Sequence, residues 1–202
     1  MKITWLGHSS FLLEESTGTK IVTDPYHSYV GYEMPDVEAD IVTVSHAHND
    51  HCCVSKVSGD PTVLNRAGAY EIGGVHILAS RSYHDDKKGS LRGDNLIFKY
   101  RMDGVDVCHM GDIGEECNAI LVESIMPVNI LMIPVGGNYT IDAKEAKEYV
   151  SRSSPKAWKN STRLTKKVFS TQFCQRTLPI AFPNSKNANG LWKPICRSIS
   201  RI

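Results

Sequence analysis

The stretch Ile41-Val42-Thr43-Val44-Ser45-His46-Ala47-His48-Asn49-Asp50-His51 decides how this chain is interpreted. The apolar run from Ile41 to Val44 is typical of a buried strand. Three imidazoles and one carboxylate follow within six residues, where the chain leaves that strand. Neutral imidazole and carboxylate are the ligand types that suit zinc, manganese or iron, so the spacing H-x-H-x-D-H predicts a metal site.

The spacing of the four side chains fits two cations better than one. In an extended segment, His46 and His48 point to the same side because they are two residues apart. Asp50 and His51, where the chain turns away, then point to a second cation. Metal pairs about 3.5–4 Å apart are a recurring device in hydrolytic enzymes.

Five further motifs accompany the histidine motif, and together they resemble the metallo-β-lactamase superfamily. The most similar branch is that of the small metal-dependent hydrolases, which includes the ascorbate-6-phosphate lactonase-like proteins. The resemblance extends from Met1 to about Pro155. The motifs are Trp5-Leu6-Gly7-His8-Ser9-Ser10, Asp24-Pro25-Tyr26, Tyr83-His84-Asp85, His109-Met110-Gly111-Asp112 and Pro134-Val135-Gly136-Gly137.

The resemblance implies an α/β fold, a four-layer αββα sandwich with the metal site at one edge of its two sheets. It also implies a distribution of ligands: a first metal on His46, His48 and His84, a second on Asp50 and His51, and Asp112 bridging both. The expected cofactor is one or two zinc ions, with manganese or iron as alternatives. From the residues themselves, Asp112 follows Gly111 at a strand end, where a carboxylate can reach into such a site.

The expected chemistry is metal-dependent hydrolysis of a small-molecule ester, lactone, amide or phosphoester. Divalent cations lower the pKa of bound water, to about 7 for a zinc-bound case, and the hydroxide attacks the carbonyl or phosphoryl centre. We expect Asp50 to be catalytic, orienting that hydroxide and relaying its proton to the leaving group.

Supporting roles are expected for a second set of residues. Metal-bound histidines usually donate their other N–H to a carboxylate or carbonyl group, which makes Asp24 a candidate partner. His8 and His109 are candidates for the same surrounding layer. Arg92 and Asn95 are candidates to face an anionic substrate, although a solvated loop explains those two equally well.

The remaining pattern predicts strands, turns and one helix. Lys2 to Glu14 is predicted as one strand with a kink at Gly7-His8-Ser9, and the mixed-polarity segment 26–40 as a loop bordering a substrate pocket. Asp103-Gly104 between two β-rich runs predicts a tight hairpin. Asp142 is predicted to cap a helix from Ala143 to about Arg152.

Composition is that of a globular protein with 41% hydrophobic residues, long enough for one domain. The N-terminal residues show no signal peptide, no run reaches the roughly 18 apolar residues of a membrane span, and the six cysteines contain no C-x-x-C pair. We therefore expect a cytoplasmic protein with free thiols.

The last 47 residues depart from this pattern. Residues 156–202 carry ten basic residues and no Asp or Glu, whereas the preceding 155 carry 13 basic and 22 acidic ones. The chain also has no histidine after His109, although members of the resembled branch complete the second metal site with one. We therefore expect a domain at 1–155, an atypical, poorly packed basic tail at 156–202, and one tightly held metal per chain.

Two alternatives stay open at this point. The first is a catalytically impaired relative that keeps its metal without full activity, which the missing last histidine favours. The second is a phosphodiesterase or nuclease of the same fold. A nucleic-acid partner would bind through the basic tail, but the motif-bearing part is acidic and no recognition module is evident. The sequence does not indicate an oligomeric state.

Overall fold

Two β-sheets face each other in the computed structural model, which describes residues 1–153 and the backbone of residues 167–170. Its strands, in chain order, are β1 (Lys2–Gly7), β2 (Ser10–Glu14), β3 (Lys20–Thr23), β4 (Val37–Glu38), β5 (Ile41–Thr43), β6 (Val57–Ser58), β7 (Thr62–Leu64), β8 (Gly68–Ile72), β9 (Val75–Tyr83), β10 (Asp94–Met102), β11 (Val105–His109), β12 (Ile130–Ile133) and β13 (Lys167–Ser170). Its helices are α1 (Ala119–Ile125) and α2 (Ala143–Arg152), with short 3₁₀ turns at Ser28–Val30 and Val54–Lys56.

Both large sheets are mixed. The first has the order β1-β2-β3-β5-β7, and the second the order β13-β12-β11-β10-β9-β8. β4 and β6 form a separate parallel pair. Hairpins connect the antiparallel neighbours, whereas β5 joins β3 and β7 in parallel, and β12 joins β11 in parallel.

The main core fills the space between the two sheets. It contains buried apolar side chains from strands of both sheets: Ile3, Phe11, Leu13, Ile21, Ile41, Leu64, Val75, Ile77, Ala79, Leu96, Phe98, Tyr100, Met102, Val107, Ile130 and Met132. Burial of apolar area from water is the dominant favourable term in folding, so this layer holds the two sheets together.

Each sheet also buries apolar residues on its outer face. On the second sheet, Leu121 and Ile125 of α1 and Ala146 and Tyr149 of α2 belong to one buried cluster. The outer face of the first sheet is covered by loops, and Met34 of the 26–40 segment is buried in the apolar cluster on that face. The predicted sandwich is thus confirmed, with 3₁₀ turns and loops rather than an α-helix outside the first sheet in the part described.

Two sequence-based expectations are corrected here. The segment 2–14 is a hairpin of two antiparallel strands, with Lys2 opposite Glu14, because Gly7 (φ 113°) and His8 (φ 50°) are left-handed and reverse the chain. The 26–40 segment packs on the first sheet and contributes no residue to the lining of the cavity described below.

Two other expectations are confirmed. Asp103 and Gly104 both have positive φ (48° and 74°), as a primed two-residue turn requires, and they join β10 to β11. Asp142 caps α2: its side chain accepts the backbone N–H of Glu145, and the Glu145 side chain accepts the N–H of Asp142.

Elements that the sequence pattern did not predict are β4, β6, β8, α1 and β13. The strand Lys167–Ser170 lies parallel to β12 at the edge of the second sheet. The rest of the predicted 156–202 tail lies outside the described residues. Among the described helices, none is long and apolar enough to cross a membrane.

Candidate metal centre

The candidate ligands follow the ends of different strands and meet at one edge of the sandwich. His46 comes shortly after β5, His84 directly after β9, and Asp112 three residues after β11. His8 lies in the turn between β1 and β2. Asp24 follows β3. Rigid strands thus deliver side chains from distant parts of the chain to one place.

His46, His48 and His84 form the first cluster. Each offers a ring nitrogen, and these nitrogens lie within 4.8 Å of one another. Nδ1 of His84 lies 3.1 Å from the carbonyl oxygen of Tyr139 and donates to it, so Nε2 of His84 is left for a ligand. Three imidazole nitrogens that converge in this way suit a divalent transition metal.

The tautomer of His46 follows from its neighbours. The Ser45 hydroxyl donates its one proton to Asp24 Oδ2 at 2.6 Å, so Ser45 Oγ accepts from Nδ1–H of His46 at 2.9 Å. Nε2 of His46 therefore carries a lone pair. That atom is buried and has no hydrogen-bond partner in residues 1–153. An orphaned buried nitrogen is costly unless something such as a metal binds it, so the donor set fits a cation.

Burial keeps two histidines of this cluster in the neutral, ligating form. It lowers the pKa of His46 to about 3, helped by the nearby His51, and it also lowers the pKa of His84. At neutral pH both rings are therefore unprotonated. Metal binding does not require them to lose a proton first.

His8, Asp50 and His51 form a second cluster, whose ligand atoms also lie within 4.8 Å of one another. Oδ2 of Asp50 lies 3.6 Å from Nε2 of His8 and 3.9 Å from Nε2 of His51. The neighbouring His8 lowers the pKa of Asp50 to about 2, against the effect of partial burial. Asp50 is thus a carboxylate at neutral pH.

Asp112 lies between the two clusters. Its Oδ2 atom is 3.3 Å from Nε2 of His51 and 3.7 Å from Nε2 of His84. Burial opposes ionisation, but the neighbouring His51 and His46 hold the pKa of Asp112 well below its usual range. One carboxylate oxygen close to both clusters has the placement that a bridging ligand needs.

Asn95 holds the backbone of Asp112 in place through a hydrogen bond. Its Oδ1 accepts the backbone N–H of Asp112 at 3.0 Å, while its Nδ2 donates to Met110 O at 2.9 Å and Ser82 Oγ at 2.8 Å. Asn95 is completely buried. This corrects the expectation that Asn95 faces a substrate, because all its polar atoms hold the loop that carries Asp112.

Asp24 has the placement expected of a supporting carboxylate. Buried at the end of β3, it accepts hydrogen bonds from Ser45 N at 2.7 Å, from Ser45 Oγ and from His51 Nδ1 at 3.0 Å. Its oxygens also lie within 4.8 Å of ring nitrogens of His46 and His51, but these hydrogen bonds already occupy both of them. Asp24 therefore acts on the cluster through His51 and Ser45.

His109 lies apart from the ligand atoms. It is completely buried at the end of β11, and its Nε2 donates to the carbonyl oxygen of Ser9 at 3.0 Å. Burial lowers its pKa, so the ring is neutral. His109 supports the turn that carries His8.

A cavity of about 630 Å³ opens beside the first cluster. Its lining includes His46, His48, Arg66, Arg81, Arg92 and Asp94. The guanidinium group of Arg92 lies 5.2 Å from the centre of the Tyr139 ring, a cation–π arrangement. Sequence reasoning named Arg92 as a candidate to face a substrate but not Arg66 or Arg81, since each of these stands alone in its segment and only the fold brings them to this cavity.

Comparison with known proteins gives a family match and several relatives. Residues 2–157 match the model of the β-lactamase superfamily domain. A UPF0173 metal-dependent hydrolase from Methanoregula boonei is 32% identical over 170 residues, covering 72% of this chain and 74% of that protein. A UPF0173 metal-dependent hydrolase from Carboxydothermus hydrogenoformans is 29% identical over 185 residues, covering 77% of this chain and 81% of that protein.

Solved structures agree with these sequence matches. A crystal structure from Thermotoga maritima, described as a candidate Zn-dependent hydrolase of the metallo-β-lactamase superfamily, is 41% identical, with a TM-score of 0.63. The match covers 75% of this chain and 70% of that one. A metal-dependent hydrolase candidate from Parabacteroides distasonis has 21% identity and a TM-score of 0.59. The match covers 76% of this chain and 78% of that one. That second likeness concerns the fold.

Proposed function

Because the chain belongs to the β-lactamase superfamily and to its UPF0173 metal-dependent hydrolases, we propose that it hydrolyses a small, negatively charged ester, lactone, amide or phosphoester. The coarse activity, metal-dependent hydrolysis, follows from the family. The substrate class, the metal and the residue roles are the proposal. Zinc is the metal we propose, because the first cluster consists of three imidazoles.

One observation carries the assignment: Nε2 of His46 is buried without a hydrogen-bond partner in the described residues and lies beside the ring nitrogens of His48 and His84. These three residues would hold the first metal, and Asp112 would contact it from the side of the second cluster. A divalent cation held there supplies a Lewis acid and lowers the pKa of bound water.

The protein's own groups have separate tasks around that centre. Asp50 is ionised and one-third exposed, so its carboxylate can accept a proton and pass it to a leaving group. Asp24 keeps His51 oriented through Nδ1, and Asn95 keeps the backbone of Asp112 in place. The site is therefore built on strand ends whose positions are held by buried hydrogen bonds.

The charge of the cavity supports an anionic substrate. Three guanidinium groups and one carboxylate line it. The arginine ion pairs within residues 1–153 involve Arg101 and Arg152, so Arg66 and Arg81 have no carboxylate partner there. Arginine binds carboxylate and phosphate groups through paired N–H donors. A substrate with such a group would place its scissile bond toward His46 and His48.

The proposal is tested by metal analysis together with hydrolysis assays. Purified wild-type protein, His48→Ala and the control His76→Ala are compared, since His76 is an exposed histidine of β9 away from the cluster. Lactones, carboxylic esters and phosphodiesters, each with and without an added anionic group, form the substrate panel. We expect His48→Ala to lose tightly bound metal and hydrolysis, and His76→Ala to keep both. A His48→Ala protein with full metal content would refute the assignment.

The impaired relative stays as a second candidate, because the chain has no histidine after His109. It makes a different prediction in the same experiment: wild-type protein would bind metal at the first cluster and hydrolyse none of the panel. The nuclease alternative predicts turnover of a phosphodiester with a preference for nucleic acid over small esters.

A further inference from the structure

The second cluster contains a histidine that the sequence pattern does not assign to it. Asp50 and His51 belong to the H-x-H-x-D-H motif, whereas His8 comes from the turn between β1 and β2. The three are brought together only by the fold, with ligand atoms within 4.8 Å of one another.

The distances within this cluster suit a shared cation. Two ligand atoms bound about 2.0–2.1 Å from a tetrahedral zinc ion lie roughly 3.3–3.4 Å apart. Nε2 of His8 is 3.6 Å from Oδ2 of Asp50, and Nε2 of His51 is 3.9 Å from the same oxygen. Small rotamer changes therefore suffice for all three to bind one ion.

The backbone around His8 is held in a conformation that delivers its ring inward. His8 has φ 50°, which is uncommon for a non-glycine residue, and such conformations gather at functional sites. Its carbonyl oxygen accepts a hydrogen bond from Nε1 of Trp5 at 2.9 Å. At Gly7, φ 113°, an added Cβ would overlap the hydroxyl group of Tyr26. The turn is thus fixed on both sides of the histidine.

His8 is also buried in a way that favours ligation. Its side chain is fully inaccessible, it contacts the Tyr26 ring edge-on at 5.6 Å, and its ring centre lies 4.6 Å from that of His51.

We infer that His8 is an additional imidazole ligand of a second metal position formed with Asp50 and His51, next to the Oδ2 atom of Asp112. The inference rests on the proposed function, since that function supplies the first metal. It also replaces the expectation of one tightly held metal per chain. With His8 present, the second position has two imidazoles and a carboxylate without any histidine beyond residue 109.

Metal titration tests this directly. Metal-free wild-type protein, His8→Ala and the exposed-histidine control His76→Ala are titrated with Co²⁺. The visible absorption of bound Co²⁺ is recorded during the titration, and the number of bound equivalents is measured by equilibrium dialysis. We expect two equivalents on the wild type and on His76→Ala. His8→Ala should keep the first equivalent and bind the second at least ten-fold more weakly.

A gain-of-signal variant covers the case in which His8→Ala folds poorly. His8→Cys places a thiolate at the same left-handed position, and thiolate is a good ligand for zinc-like metals. We expect a new thiolate-to-cobalt charge-transfer band in the near ultraviolet, appearing with the second equivalent and absent from wild type. A folded His8→Cys protein that takes up two equivalents without this band would refute the inference.

Failure of this inference differs from failure of the proposed function. Two equivalents on His8→Ala with unchanged affinity would show that His8 is only a neighbour of Asp50. A single equivalent on wild type would refute the second position while leaving the first in place. A wild-type protein that binds no metal would overturn both proposals.

Discussion

The Oδ2 atom of Asp24 lies 3.0 Å from Nδ1 of His51, and both side chains are buried. The carboxylate accepts the Nδ1 proton, which directs Nε2 of His51 toward Oδ2 of Asp112 at 3.3 Å. Burial opposes protonation of His51, but the Asp112 and Asp24 carboxylates outweigh it and raise its pKa. Asp24 thereby controls both the orientation and the charge of a candidate ligand.

Replacing this carboxylate tests its role. We expect Asp24→Asn to weaken metal binding by roughly 10–100-fold, the usual effect of removing a carboxylate behind a ligating histidine. The measurement is a zinc competition titration with a chromophoric chelator on metal-free protein. Asp60→Asn, at an exposed aspartate, is the control. Equal affinities for the two variants would show that His51 needs no partner at Nδ1.

Asp50 is expected to affect turnover more than the metal content of the first cluster. Asp50→Asn removes a carboxylate that can relay a proton, and loss of such a group costs about 10²–10⁴-fold. His46, His48 and His84 are unchanged in this variant, so the first equivalent of metal should remain. Hydrolysis rates and bound metal are measured on the same preparation. Unchanged turnover would remove Asp50 from the mechanism.

Gly111 is expected to tolerate no side chain. An added Cβ would lie 2.6 Å from Cβ of Ser45 and would overlap Oδ1 of Asn95, and φ is 56°. We expect Gly111→Ala to lower the free energy of unfolding by roughly 2 kcal/mol or more, through backbone strain plus overpacking. The loop carrying Asp112 should shift, so metal affinity should fall too.

The hairpin glycine provides the matched control for this change. Gly104 also has a positive φ, 74°, but nothing lies within 4 Å of its added Cβ. Gly104→Ala should therefore show backbone strain alone, about 1–2 kcal/mol, with metal affinity unchanged. Urea unfolding of both variants measures the difference. Equal losses of unfolding free energy in the two variants would mean that Asn95 and Ser45 move aside for the new methyl group without a loss of stability.

Arg66 and Arg81 are expected to select for charge. Arg66→Ala and Arg81→Ala should each raise KM for an anionic substrate about ten-fold, the loss of roughly 1.4 kcal/mol of binding, while a neutral analogue is little affected. Lys147→Ala, at an exposed position of α2, controls for the change in net charge. Equal effects on the anionic and neutral substrates would argue against anion recognition.

His109 is expected to make the metal-free protein sensitive to mild acid. Burial lowers its folded-state pKa below the ordinary 6.5. The stability it contributes is therefore present above about pH 6.5 and is lost as pH falls from there toward the folded-state pKa, because the unfolded chain takes up the proton first. In excess chelator, His109→Gln should lose less free energy of unfolding than wild type between pH 7.5 and 5. Parallel pH profiles would exclude this contribution.

Several features were predictable because their signals are local in the chain. The motif His46 to His51, the primed turn at Asp103-Gly104 and the capping box at Asp142 each depend on residues a few positions apart. Local backbone preference and side-chain spacing settle such elements. Residue patterns of this length also carried the family resemblance, and with it the sandwich fold.

Other features depend on contacts that no local pattern encodes. The sequence predicts only a kink at Gly7-His8 within one strand. In the folded protein the chain reverses there, and Tyr26, which the fold brings next to Gly7, leaves no room for a side chain at that position. Asn95 was a candidate to face a substrate or solvent, yet its amide group forms hydrogen bonds with the backbone of Met110 and Asp112, fifteen and seventeen residues away.

The chain alone thus specified which chemistry is present: imidazoles and carboxylates in a metal-binding order, at the ends of apolar strands. Which of those groups lie close together was settled by packing of the two sheets, because His8, His51 and Asp112 come from three separate parts of the chain and approach only when the core closes. Distances of a few ångströms between residues 40 to 100 positions apart are properties of that packing, and no sequence spacing contains them.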